Sequence, residues 1–221
     1  MTEYAKFVKI VPQVNTTTNL GFQAYVTLPS TKNLPSGYIN MYCGVAGFEC
    51  GVSSAADSRF YDATTKTYKW HWFVNGPEID NGVPYTQFKD GDRIHLKLVL
   101  GDDGRIRFYV NFNLVFTSQK TYTTSSDSLK AARFIFGALQ NQYDGAAPST
   151  LPAWKLSFSK IVAEQMMFKA PGAGDWTSVT AGNTTAIPVH TPTTGTTPSP
   201  VNINGTTNDL ANARYAVSMT V

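Results

Sequence analysis

The sequence has few charged residues, only two cysteines and no long apolar run. Charged residues make up 15% of the 221 residues and the formal net charge is +3, which is too weak to indicate a nucleic-acid partner. No stretch of about 20 apolar residues is present, so no membrane span is predicted. The opening residues, MTEYAKFVKIVPQ, lack the apolar core of a signal peptide. We therefore expect a protein that is cytoplasmic or exported by a non-classical route.

The two cysteines lie in the segment YCGVAGFECG, at Cys43 and Cys50. If the chain turns at Ala46-Gly47, Val45 pairs with Phe48 and the two cysteines face each other across adjacent strands. That register makes a disulfide geometrically possible. Without an export signal, two buried free thiols are favoured, and the spacing does not fit a zinc site.

Strand-forming and turn-forming residues are abundant, whereas no long segment carries a helical apolar period. Many short strands separated by Gly, Pro and Asn clusters favour an all-β, two-sheet antiparallel sandwich of the jelly-roll type. The predicted strands are Ala5–Val11, Gly21–Leu28, Tyr38–Val45, Tyr68–Val74, Arg93–Leu100, Arg105–Val110, Leu114–Ser118, Ala132–Leu139 and Trp154–Val162.

The segment VLGDDGRIRFYVNFNLVFTSQ predicts a three-stranded meander with a defined register. A three-residue loop that ends at Gly104 brings the apolar residues of the first two strands onto one face. A second three-residue loop, Asn111-Phe112-Asn113, is expected to have the same form, with Asn113 in the left-handed conformation. The expected pairs are Leu100 with Ile106, Leu98 with Phe108, Leu96 with Val110, Val110 with Leu114 and Phe108 with Phe116.

The amino-acid composition changes after Lys169. We expect a sandwich over residues 1–169 and a long irregular segment, rich in Thr, Pro, Gly and Asn, over residues 170–221. Because the chain ends in RYAVSMTV, its last strand is expected to pair with the sandwich or with a neighbouring subunit. A homo-oligomer formed through this segment is therefore one possibility.

The stretch KDGDRIHLKLVLGDDGRIRFYVNFNLVFT resembles the meander of the concanavalin A-like lectin/glucanase superfamily, and ARFIFGALQNQYDG is similar to its closing strands. The resemblance implies a sandwich over roughly Tyr4 to Lys169, in a superfamily of lectins, glycosidases, lyases and structural modules. The carboxylate strand of its glucanases is not present. Only Glu78-Ile79-Asp80 has a fragment of that spacing, and it lies in a predicted turn.

Two glutamates are candidates for carboxylate catalysis, which needs two acids on facing positions of a cleft. Glu49 and Glu164 fall in or near predicted strands, and they form the catalytic pair if the protein is an enzyme. The competing interpretation is two ordinary solvent-facing strand residues.

The segment YKWHWF places Tyr68, Trp70 and Trp72 on one strand face and His71 on the other. Stacked aromatic rings suit a sugar platform, but rings of this size also fill protein cores, and the core interpretation is favoured. In that case His71 faces solvent.

The outer face of the meander gathers a basic stripe that includes Arg107 and Tyr109. Such a stripe suits an acidic polysaccharide or another anion. The simpler interpretation is a solvated face whose like charges discourage pairing with the edge of another sheet. No cofactor is expected. Turn formation explains Asp90, Asp92, Asp102 and Asp103, although calcium is an alternative for them.

Taken together, these patterns favour a non-catalytic, lectin-like protein that binds a glycan or polysaccharide, with acidic polysaccharides among the candidates. The alternatives are an assembly protein of a virion, spore or surface layer, and a glycosidase or polysaccharide lyase. The predicted ligand contacts are Trp70, His71, Trp72, Arg107, Tyr109 and Asn141.

Overall fold

A computed structural model describes residues 3–13, 18–79, 88–124, 131–141, 155–172, 174–191 and 204–219. The strands form a six-stranded sheet, a nine-stranded sheet and a two-stranded ribbon, and every strand pair is antiparallel. The predicted antiparallel sandwich is therefore confirmed.

The strands are β1 (Glu3–Pro12), β2 (Gly21–Thr27), β3 (Lys32–Asn33), β4 (Tyr38–Val45), β5 (Phe48–Ala55), β6 (Tyr61–Asp62), β7 (Thr67–Tyr68), β8 (Trp70–Asn75), β9 (Arg93–Leu100), β10 (Ile106–Val110), β11 (Asn113–Thr117), β12 (Arg133–Asn141), β13 (Ser157–Lys169), β14 (Thr177–Ser178), β15 (Thr184–Thr191), β16 (Asn204–Asp209) and β17 (Arg214–Met219). Short 3-10 turns occupy Ser58–Phe60 and Leu210–Asn212. No helix in the described ranges is long and apolar enough to cross a membrane.

The core lies between the two large sheets. The six-stranded sheet has the order β15-β1-β12-β4-β5-β8, and the main path of the nine-stranded sheet is β11-β10-β9-β2-β13-β17-β16. Apolar side chains alternate inward along both sheets, as a half-buried strand requires. Phe22 of one sheet stacks on Phe134 of the other with ring centroids 5.8 Å apart, which joins the layers at their centre.

The first hairpin of the meander has the register that the sequence predicts. Leu100 pairs with Ile106, Leu98 with Phe108 and Leu96 with Val110. Gly104 has a φ of +73°, the left-handed conformation expected at the end of the loop.

The second hairpin differs from the prediction. Phe108 pairs with Phe116 as expected, but Val110 pairs with Asn113, so the predicted pair of Val110 with Leu114 is wrong. The left-handed residues are Asn111 and Phe112, with φ of 48° and 67°, which makes a two-residue turn. A register shift after Phe108 absorbs the extra residue.

The Ala46-Gly47 turn is also confirmed, since Val45 pairs with Phe48 and Cys43 with Cys50. Both cysteines are free thiols and are fully buried, and burial raises the pKa of each. The strand that follows the turn, β5, was absent from the predicted strands, although it lies in the middle of the six-stranded sheet.

The segment after Lys169 contributes strands to both large sheets. The last strand, β17, pairs with β13 of the same chain, whereas β15 pairs with β1 at the edge of the six-stranded sheet. Among the described residues, the C-terminal segment is therefore more regular than its composition indicates. The first residue of the predicted strand Trp154–Val162 lies outside the described residues.

We expect Phe108→Ala to lower the free energy of unfolding by about 3–5 kcal/mol, because the fully buried ring would leave a cavity. The control is Leu114→Ala on the next strand, where the side chain is 51% exposed and the expected change is within about 0.5 kcal/mol. Urea unfolding measures both. Equal losses would contradict the packing described here.

Candidate functional site

A groove of about 270 Å³ lies on the outer face of the six-stranded sheet, which points away from the core. Its floor comes from β4, β5 and β8, and the Ser58–Phe60 turn closes one side. The lining combines aromatic rings with polar side chains: Phe7, Tyr38, Asn40, Tyr42, Glu49, Ser53, Ala55, Asp57, Arg59, Phe60, His71, Phe73 and Asn75.

Two glycines make room on this face. A Cβ atom at Gly44 would lie 2.7 Å from Cζ of Arg133, which reaches across β4 at that point. A Cβ atom at Gly51 would lie 2.5 Å from Cβ of Tyr42. Larger residues at these two positions would displace the side chains that surround the groove.

An ion pair between Arg133 and Glu49 spans three strands of the sheet. The backbone register places Arg133 opposite Gly44 and Gly44 opposite Glu49, and Nη2 of Arg133 donates to Oε1 of Glu49 at 2.7 Å. The arginine side chain is only 2% exposed, while that of Glu49 is 29% exposed. The guanidinium is therefore fixed beneath the surface and the carboxylate faces the groove.

Tyr42 adds a hydroxyl beside this pair. Burial, followed by the charge of Glu49 and a hydrogen bond to it, raises the pKa of Tyr42 well above its usual value. The ring stands edge-on to Phe73, with centroids 5.9 Å apart. Tyr42 therefore remains a protonated hydrogen-bond donor next to the carboxylate.

The other end of the groove holds a neutral histidine and a second ion pair. His71 is buried and stacks on Phe60 at 3.9 Å, and burial lowers the pKa of His71 to about 4. Asp57 accepts from Nη2 of Arg59 at 2.6 Å, and hydrogen bonds from Arg59 lower the pKa of Asp57 to about 2. Both arginines of the site are thus paired with carboxylates, while Lys9 on β1 is close enough for its charge to act on Arg133 and Glu49.

The structure separates the two glutamates that the sequence suggested as a catalytic pair. Glu49 lies in the groove, whereas Glu164 lies on the outer face of the nine-stranded sheet and accepts from Arg93 at 2.6 Å. The core lies between them, so they share no cleft.

The aromatic strand β8 divides as its alternation predicts. Trp70 is 1% exposed in the core and donates to Asp90 at 2.6 Å, and Trp72 packs against the core. Of the three β8 residues predicted as ligand contacts, only His71 lines the groove, and it is buried rather than solvent-facing.

The remaining predicted contacts lie elsewhere. Arg107 binds Asp103 at 2.5 Å, and Tyr109 lies under Lys97 on the nine-stranded sheet. Asn141 ends β12, and its side chain is outside the described residues.

Three of the four aspartates considered for calcium have local partners. Asp90 accepts from Lys32 and Trp70, Asp92 accepts from the backbone of Lys89, and Asp103 binds Arg107. In the part of the chain that the structure describes, no group of three or more His, Cys, Asp or Glu residues could hold a metal ion.

Sequence reasoning missed Arg133, Tyr42, Gly44 and Gly51. The sequence did contain signals for three of them. Arg133 is a charged residue at the start of an apolar strand, and Gly44 and Gly51 are glycines within or just after a predicted strand. Their meaning depends on the order of β12, β4 and β5 in the sheet, which local patterns do not specify.

Comparison with solved structures shows a likeness over the whole chain to two peptidases. Scytalidoglutamic peptidase, with a peptide-based transition-state analogue, has a TM-score of 0.58 at 13% identity, with 100% of both chains covered. SCP-B, a member of the eqolisin family of peptidases in complex with the tripeptide Ala-Ile-His, has a TM-score of 0.57 at 12% identity, again with 100% of both chains covered. At these identities the likeness establishes a shared fold.

A galectin from Caenorhabditis elegans, LEC-6, covers only 59% of this chain and 86% of its own, with a TM-score of 0.33 at 12% identity. No family model and no curated protein matches the sequence. The expected resemblance to concanavalin A-like proteins agrees with the structure only in the antiparallel two-sheet architecture.

The prediction of a non-catalytic, lectin-like protein is wrong. The likeness that covers the full chain is to peptidases.

We expect acid to destabilise the protein partly through His71. Its folded pKa of about 4 lies below the value of about 6.5 in an unfolded chain, so the unfolded state binds more protons between these values. Stability from this group is present above about pH 6.5 and is lost as the pH falls towards 4. His71→Asn should therefore lose about 1–2 kcal/mol less than the wild type between pH 7 and 4, after allowance for solvent screening. Urea unfolding at each pH measures this, and identical pH profiles would contradict it.

Gly44→Ala should lower the free energy of unfolding by about 1–3 kcal/mol, because the new methyl group pushes the buried guanidinium of Arg133 away from Glu49. Gly174→Ala is the control, since nothing lies within 4 Å of a Cβ atom there. Thermal unfolding compares the two. A Gly44→Ala protein as stable as the control would show that the pair tolerates displacement.

Proposed function

We propose that the groove binds an extended peptide and that Glu49 hydrolyses one of its bonds, so that the protein is a peptidase. The observation that carries the proposal is the position of Glu49, a partly exposed carboxylate on the groove floor beside a buried guanidinium. The fold shared with two peptidases, both with peptide-like ligands in their structures, supports it.

The shape and charge of the groove suit an uncharged peptide segment. Glu49 and Ser53 on β5 are about 13 Å apart at roughly 3.3 Å per residue, which is the length of about four extended residues. Phe7, Phe60 and Phe73 supply aromatic surface for side chains. Each arginine is paired with a carboxylate, so neither guanidinium is free to select an acidic substrate.

The chemistry follows from three groups. The Glu49 carboxylate takes a proton from a water molecule whose oxygen bonds to the peptide carbonyl carbon. Negative charge then develops on the carbonyl oxygen, where the fixed positive charge of Arg133 and the protonated hydroxyl of Tyr42 stabilise it. As the carbon–nitrogen bond breaks, Glu49 returns the proton to the leaving nitrogen.

A second candidate function is peptide capture without hydrolysis. It is favoured by the 2.7 Å contact between Arg133 and Glu49, because a carboxylate oxygen that already accepts from a guanidinium is less available to a water molecule. The same groove would then hold a peptide and release it intact.

Glu49→Gln should abolish cleavage of a mixed peptide library, with a loss of at least about 100-fold, because the amide cannot accept the proton. Mass spectrometry of the products measures the cleavage. Glu164→Gln is the matched control, since this glutamate also binds an arginine but lies on the other sheet, and it should cleave like the wild type.

Three outcomes separate the alternatives. Cleavage that persists in Glu49→Gln contradicts the proposed role of Glu49. Peptides that bind to the wild type without being cut support the second candidate, and isothermal titration with the library detects them. A wild type that neither binds nor cuts peptides contradicts both functions.

A further inference from the structure

An exposed apolar patch lies on the outer face of the nine-stranded sheet, on the opposite side of the molecule from the groove. Phe112 is 67% exposed and Leu114 is 51% exposed, at the hairpin between β10 and β11. Leu114 pairs with Tyr109 and so shares its face, while Phe112 lies 6.2 Å from the ring of Tyr25. These four residues, of which the two tyrosines are half-buried, are called the aromatic patch below. Grouped exposed side chains such as Phe112 and Leu114 are typical of interaction sites.

The backbone of Phe112 strengthens this inference. Its φ of 67° is left-handed, at a turn position where glycine is favoured and a bulky residue is strained. The ring stacks on His95 at 4.3 Å, yet two-thirds of the residue remains exposed. A left-handed conformation at a largely exposed aromatic residue supports a role for its ring in a contact outside the chain.

Unpaired lysines border the patch. Lys97 lies 5.0 Å from the ring centroid of Tyr109 and 5.3 Å from that of Trp176, and the charge of Lys169 is close enough to act on it. Among the described residues, neither Lys97 nor Lys169 has a carboxylate within ion-pair distance. The face is therefore both apolar and positively charged.

The arginines of the same face are already engaged. Arg93 binds Glu164 at 2.6 Å and covers the ring of Tyr25 at 3.7 Å, and Arg107 binds Asp103. The guanidinium groups, which can bind a carboxylate or phosphate through two parallel hydrogen bonds, are thus already occupied. The free charges are lysines, which attract anions without a fixed orientation.

We propose that the aromatic patch binds the surface of an anionic lipid membrane. Exposed Phe and Leu side chains enter the boundary between headgroups and acyl chains, while Tyr109 and Trp176 lie at the headgroup level beside Lys97. Like charges disfavour a second copy of the same face. Because the groove lies on the other sheet, it stays open to peptides while the patch is bound.

Flotation with phosphatidylcholine vesicles that contain about one third phosphatidylserine tests the proposal. The wild type should bind these vesicles about tenfold more than pure phosphatidylcholine vesicles, and about 0.5 M salt should remove most of the difference. Phe112→Gly and Leu114→Gln should each reduce binding at least about fivefold. Ile187→Gln is the control, since Ile187 is 41% exposed on β15 of the other sheet, and it should bind like the wild type.

Phe112→Gly also separates binding from folding. Glycine suits the left-handed turn, so its thermal midpoint should stay close to that of the wild type while vesicle binding falls. Equal flotation with both lipid mixtures, or equal losses in Ile187→Gln, would overturn the proposal. Binding to immobilised polyglutamate without binding to vesicles would overturn it in favour of an acidic protein partner.

Discussion

The alternation of side chains along the six-stranded sheet is the constraint from which both its core and its groove follow. On β5, Phe48, Cys50 and Val52 are buried in the core, so Glu49 and Ser53 must point to the other face. A slip of one residue would bury Glu49 in the core and expose Phe48. The burial of the apolar set therefore fixes the position of the carboxylate.

The ion pair between Arg133 and Glu49 is the part of the site whose disruption would most destabilise the fold. The arginine is almost fully buried, and a buried charge without its partner is strongly destabilising. Gly44 lies between the two in the sheet and leaves the space that the guanidinium crosses. Fold stability and site geometry are thus coupled, because any substitution that separates the pair also leaves the buried guanidinium without a carboxylate partner.

The local sequence was enough to predict the first hairpin of the meander and the Ala46-Gly47 turn, because the alternation of apolar residues and the turn-forming residues indicate the same register there. At the next hairpin, parity alone favoured Asn113 as the left-handed residue, whereas a strained Phe112 and a bulge satisfy the same apolar face. The site was predicted less well. The sequence suggested Glu164 as the partner of Glu49, whereas the structure pairs Glu49 with Arg133 and Glu164 with Arg93. Those pairings depend on strand order across long sequence separations.

The two outer faces of the sandwich differ in how their charges are balanced, and the two proposals depend on this difference. In the groove, Arg59 and Arg133 each bind a carboxylate, so recognition must rest on shape, aromatic surface and hydrogen bonds. On the opposite face, Lys97 and Lys169 have no carboxylate within ion-pair distance among the described residues, so attraction of an anion there is long-ranged and weakly directional. A surface of the second kind concentrates the protein where anionic charge is dense. A groove of the first kind then acts on whatever chain lies within its reach, which is why the two proposals call for opposite faces of one fold.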